Sequence, residues 1–127
     1  MSFRTKLSAV AVGAAAVAGM FVATPAAFAD DCSSQGDGGR ICKAYPGSGG
    51  TISLILYAPK HPGADYTMRG WDNKHRSVHL DRERPGGGWD GPIGAGQGWT
   101  TEMYRKGLKW RACVNVGSGN YHCTQFH

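Results

Sequence analysis

Histidine is the side chain best suited to move protons near neutral pH, and the chain carries five: His61, His75, His79, His122 and His127. Two histidines backed by a carboxylate and a cation would suit a small basic secreted ribonuclease, and Glu102, His79, Arg111 and His122 are the candidates for that chemistry. His75 and His79 are four apart, which on a helix would let them share a metal ion. On a strand they stand about 13 Å apart at ~3.3 Å per residue, too far for a common ligand. His61 lies between Lys60 and Pro62 in a turn, and His127 is the last residue, where fraying is expected. No Gly-x-Ser-x-Gly elbow is present, and the glycines of 85–98 are not followed by the Gly-Lys-Ser/Thr and helix that a phosphate loop needs. The balance is against an enzyme, with no metal site and no cofactor implied.

Aromatic side chains give a stronger signal than titratable ones. The chain has four tryptophans and five tyrosines. Alternation assigns Trp99 and Trp110 to a core. Trp71, within Gly70-Trp71-Asp72-Asn73, and Trp89, within Gly88-Trp89-Asp90-Gly91, read as loop residues. Exposed tryptophans near arginine are common anchors of protein interfaces, because a large rigid ring buries much surface at little entropic cost. Trp71, Trp89, Arg69, Arg82 and Arg84 are therefore the predicted binding residues.

The elements that must position these side chains read as strands. Thr51 to Tyr57 is β-branched and aliphatic, and Pro59 and Pro62 stop it. Segments 65–69 and 75–80 read as a hairpin across 70–74, and 85–98 as a long exposed loop. The segment 30–50 reads as a loop pinned by its own cysteine pair. In the last third, a turn over 105–108 would set Met103 opposite Trp110, Thr101 opposite Ala112 and Trp99 opposite Val114. A second turn, at 117–119, would set Trp110 against Phe126, Ala112 against Thr124 and Val114 against His122. That register places Cys113 directly opposite Cys123, within disulfide reach, so the pairing Cys113–Cys123 with Cys32–Cys42 is preferred. Zinc is disfavoured because both pairs are ten residues apart and no CxxC occurs. No window outside the N-terminal run has helical periodicity, so the class is all-β: a small antiparallel sandwich or meander-type barrel stapled by two disulfides.

The N-terminus carries Arg4 and Lys6, an Ala/Val/Gly-rich run and then Ala27-Phe28-Ala29, the pattern of a secretory signal peptide over 1–29. Segment 30–127 is then one secreted domain without a membrane anchor, in a compartment where disulfides persist. Removing the two N-terminal cations lowers the net charge from +5 to +3. That mild excess, mixed with acids as in Asp81-Arg82-Glu83-Arg84, argues against a nucleic-acid partner.

The residues Trp89-Asp90-Gly91-Pro92, Trp99-Thr100-Thr101, Trp110-Arg111-Ala112-Cys113 and Tyr121-His122-Cys123-Thr124 resemble the C-terminal part of small secreted two-disulfide actinobacterial proteins. Among these are the adaptor subunits of umbrella toxin particles. The resemblance covers the last third of the chain and implies a non-enzymatic adaptor joining a lectin-like subunit to a large toxin subunit. The expected function is thus a secreted binding or adaptor protein that engages an extracellular protein. An inhibitor of a secreted hydrolase and the ribonuclease named above are the alternatives.

Overall fold

The computed structural model describes residues 30–127, and the expected signal peptide, 1–29, lies outside them. Nine strands follow in chain order: β1 (Asp31–Ser34), β2 (Arg40–Ala44), β3 (Ile52–Tyr57), β4 (Thr67–Asp72), β5 (Ser77–Glu83), β6 (Trp89–Gln97), β7 (Met103–Tyr104), β8 (Trp110–Gly117) and β9 (Asn120–Cys123). They form two antiparallel sheets, ordered β1-β2-β3-β4-β7 and β6-β5-β8-β9. The architecture is therefore a two-sheet sandwich: the all-β class is as expected, and of the two expected forms it is the sandwich, not the barrel.

Alternation assigns the faces. Along β3, Ile52, Leu54 and Leu56 point inward, and they join Ala44 and Met68 from the same sheet. Val78, Leu80, Trp110, Ala112 and Val114 meet them from the second sheet. Trp110 is fully buried, and its indole Nε1 donates to Arg105 O at 3.0 Å, so the one polar atom of the ring is satisfied. The sheets approach closely at Gly70, where a Cβ would stand 3.1 Å from Ala112 Cβ and from Thr100 Cγ2. Glycine in this strand trades propensity for close packing.

Both disulfides join directly opposed residues of neighbouring antiparallel strands. Cys32 opposes Cys42 across β1 and β2, and Cys113 opposes Cys123 across β8 and β9, each with Cα atoms 4.0 Å apart. Two such bridges fit an oxidising, extracellular environment.

The chain crosses from the first sheet to the second between β4 and β5. Here Asp72 is buried, and its carboxylate accepts from Arg76 N at 2.7 Å, Arg76 Nε at 3.0 Å and an Arg76 terminal nitrogen at 2.9 Å. One carboxylate thereby caps the whole connection. The expected hairpin across 70–74 is instead this arch, because Val78 and Leu80 bury against the opposite sheet and cannot also pair with β4.

Other expectations are corrected in the same way. Segment 30–50 forms the β1–β2 hairpin, and the glycine-rich 85–98 contains β6, paired with β5 through register shifts that its glycines accommodate. Met103 does not oppose Trp110: β7 pairs with β4, while β8 lies between β5 and β9. The second half of the expected ribbon holds at Val114↔His122 and Cys113↔Cys123. It then slips by one residue, so that Trp110 exchanges backbone hydrogen bonds with His127 rather than facing Phe126. Those bonds and a contact between His127 Nε2 and Asp30 Oδ2 hold the chain end expected to fray.

Candidate functional site

The predicted binding residues divide between the two outer faces of the sandwich. On the first sheet, residues of odd number along β2, β3 and β4 point outward. Ile41, Ile55 and Arg69 form one cross-strand row, and Lys43, Ser53 and Trp71 the next. Trp71 is therefore a strand residue, not a loop residue. A single bridge places Trp99 beside it, with ring centroids 5.6 Å apart and planes inclined by 28°. Trp99 leaves the core it was expected to fill, because Gly70 leaves no room for it inside, and it stays 36% exposed.

Arg69 locks this aromatic pair. Its guanidinium carbon lies 4.6 Å from the Trp99 ring centroid, and its Nε donates to Thr100 O at 3.0 Å. Thr100 is buried and accepts from Gly70 N at 2.9 Å, which ties the Trp99 strand to β4. Ile41, Lys43, Ser53, Ile55, Trp71 and Trp99 enclose a shallow cavity of about 220 Å³. At its base Ser53 is fully buried, and its hydroxyl has no hydrogen-bond partner among the described residues. An unmet buried hydroxyl costs about 1–3 kcal/mol and is uncommon where packing alone decides the residue.

The other face belongs to the second sheet. His79 and Asp81 point outward from β5, and Arg111 and Cys113 from β8. Asp81 is nevertheless only 1% exposed, because β6 passes over it at Gly91, where a Cβ would overlap Asp81 Oδ1. Arg111 Nε donates to Asp81 Oδ2 at 2.8 Å. His79 Nε2 lies 3.2 Å from Asp81 Oδ1 but out of hydrogen-bond alignment. Burial pushes the His79 imidazole below its ordinary pKa, and the Arg111 charge acts the same way; the Asp81 charge opposes both and does not prevail. The Arg111 guanidinium is held between the rings of Trp89, at 4.9 Å, and Phe126, at 4.7 Å.

Arg82 and Arg84 serve this face indirectly. Both reach Asp90, at 3.3 and 2.8 Å, and Arg84 also donates to Trp89 O at 3.1 Å. They brace the β5–β6 connection and present Trp89. Arg84 first, and then Arg82, hold the Asp90 carboxyl below the ordinary value.

Of the candidate acid–base set, His79 and Arg111 meet around Asp81, a residue of the mixed-charge run Asp81-Arg82-Glu83-Arg84. Glu102 lies elsewhere, lining a cavity with Lys60, His61 and Tyr104. His122 opposes Val114 and so lies on the other side of the sheet from His79. Among the described residues two trios approach as metal ligands would, Cys32–Cys42–His127 and His79–Asp81–Cys113, but every cysteine in them is a disulfide sulfur with no thiolate to offer. Comparison with protein-family models, with curated proteins and with solved structures finds no match.

Proposed function

We propose that the chain is a secreted binding module that docks another extracellular protein on the outer face of its first sheet, through Trp71, Trp99 and Arg69. The observation that carries this is the stacked tryptophan pair, locked by Arg69 and flanked by Ile41 and Ile55, on a face where a lone sandwich needs only polar side chains. A pre-placed aromatic pair loses little freedom on binding, and tryptophan and arginine dominate interface energetics. The buried Ser53 hydroxyl supports the same use, since a partner's donor or acceptor reaching the cavity would satisfy it.

The finer assignment follows the C-terminal resemblance: an adaptor holding a large toxin subunit and a lectin-like subunit. Capture from culture medium with the oxidised protein tests the docking function. A stoichiometric protein partner retained by the wild type and lost by Trp71→Ala is the expected result. Equal capture by both, or no partner at all, would overturn it.

A further inference from the structure

The cavity on the outer face of the second sheet measures about 410 Å³ and lies on the opposite side of the sandwich from Trp71. We infer that it binds a neutral saccharide, one ring of a glycan, which stacks on Trp89 and Tyr121 and takes hydrogen bonds from Arg111.

Charge decides against ionic ligands. The Arg111 cation is matched by the Asp81 carboxylate at 2.8 Å, and His79, disfavoured by burial from taking a proton, adds none at neutral pH. The charged groups of the wall cancel, so an anion finds its arginine already neutralised. A free cation on the open side of the Trp89 ring would share it with the Arg111 guanidinium, 4.9 Å from the ring centroid, a like-charge neighbour that an uncharged ring does not feel. A metal ion is excluded because Cys113, the third group within reach, is bonded to Cys123.

What the wall does offer matches a sugar ring. Trp89 is 47% exposed and Tyr121 56% exposed, yet neither is loose. Trp89 is held through its carbonyl by Arg84 and against Arg111, and Tyr121 meets the His79 ring edge-on at 5.2 Å. The electron-rich face of an aromatic ring attracts the slightly positive C–H groups on one side of a pyranose. Arg111 spends Nε on Asp81, and its terminal nitrogens have no partner among the described residues. A planar fork clamped between two rings presents those donors in a fixed direction, suited to a pair of neighbouring hydroxyls. Asp81 Oδ1, buried with no aligned donor, leaves an unmet acceptor behind the cavity. A volume of this size and a mainly apolar lining with few convergent polar groups are typical of small-ligand sites.

The test uses oxidised protein expressed from the full chain. Trp fluorescence and NMR titrations would cover neutral mono- and disaccharides, saccharides carrying a carboxylate, and tetramethylammonium as a cation probe. Saturable binding of at least one neutral saccharide is expected, weakened about tenfold or more by Trp89→Ala and by Tyr121→Ala, and unchanged by Trp71→Ala. Arg111→Lys keeps the charge but loses the fork, and should weaken binding comparably while native hydrogen-exchange protection persists. The inference is overturned if no neutral saccharide in the panel binds, or if only the acidic saccharides or the cation do. Binding that survives Trp89→Ala but not Trp71→Ala also overturns it. Protein capture through Trp71 is a separate result, so either site can fail without the other.

Discussion

Gly91→Ala sets local propensity against packing and should expose which one wins. Gly91 lies inside β6, and its backbone is not in the left-handed region. By propensity alone, alanine there should gain roughly 0.5–1 kcal/mol. The added Cβ, however, would overlap Asp81 Oδ1 and come within 3.3 Å of Asp81 Cα. Gly91 sits in a register shift of β6, but the pairs Arg82↔Asp90 and Leu80↔Ile93 anchor the strand on either side, so the carboxylate turns away from Arg111 Nε. Breaking a buried charge pair costs about 3–5 kcal/mol, but the Arg111 side chain is 23% exposed and can rehydrate, which lowers the figure to about 2–3 kcal/mol. Less the propensity gain, a net loss of about 2 kcal/mol remains, or roughly 8–16 °C in Tm for a domain of this size. Chemical and thermal denaturation of the oxidised protein measure it. Gly86→Ala is the control, since nothing lies within 4 Å of its Cβ position, and it should stay within about 0.5 kcal/mol of wild type. In an Asp81→Ala background the Gly91→Ala loss should largely vanish, because the overlapping atom is gone. A Gly91→Ala protein as stable as wild type would refute the packing described for this face.

Two further predictions concern pH. Burial alone raises the Asp72 carboxyl, but the hydrogen bonds and charge of Arg76, with a backbone hydrogen bond from Lys74, bring it below the ordinary value. A depressed carboxyl stabilises the fold above its unfolded value of about 3.9 and loses that effect as pH falls further. Asp72→Asn should therefore cost about 3 kcal/mol at pH 7, with the gap from wild type closing as the pH drops below about 4; urea midpoints across pH 7 to 2 that keep a constant gap would contradict this. His79 has the opposite charge logic: its imidazole is held low by burial, so the unfolded chain takes up its proton first. Stability should fall as the pH drops through about 6.5, until the folded ring also protonates, and His79→Gln should flatten that part of the profile. An NMR titration that gives His79 a pKa at or above 6.5 would show the ring is not buried as described.

The all-β class and both disulfides were legible because each rests on local information. Glycine content, the missing helical period and the facing positions of Cys113 and Cys123 need no knowledge of distant partners. Strand partners were less legible. Met103 and Thr101 can be registered against Trp110 and Ala112 on alternation alone, yet Leu80, some 30 residues upstream, takes that edge of β8 because Val78, Leu80 and Arg82 match it over a longer span. Trp99 was assigned inward by alternation, whereas the close approach at Gly70 excludes a ring there. Of the binding candidates, Trp71, Arg69 and Trp89 carry their faces, while Arg82 and Arg84 reach sideways to Asp90, a partner that their own sequence run does not reveal. Asp81 was hidden for a related reason: only the passage of Gly91 over it turns an acid in a charged run into a buried anchor for Arg111 and His79.

Isothermal titration of the captured partner against wild type, Trp71→Ala, Trp99→Ala and Trp89→Ala tests the docking face most directly. Trp71→Ala and Trp99→Ala should each lose about 2 kcal/mol or more, roughly thirtyfold in Kd, while Trp89→Ala binds the protein partner as wild type does. Affinity unchanged by the first two substitutions, or lost only in the third, would contradict the assignment of that face.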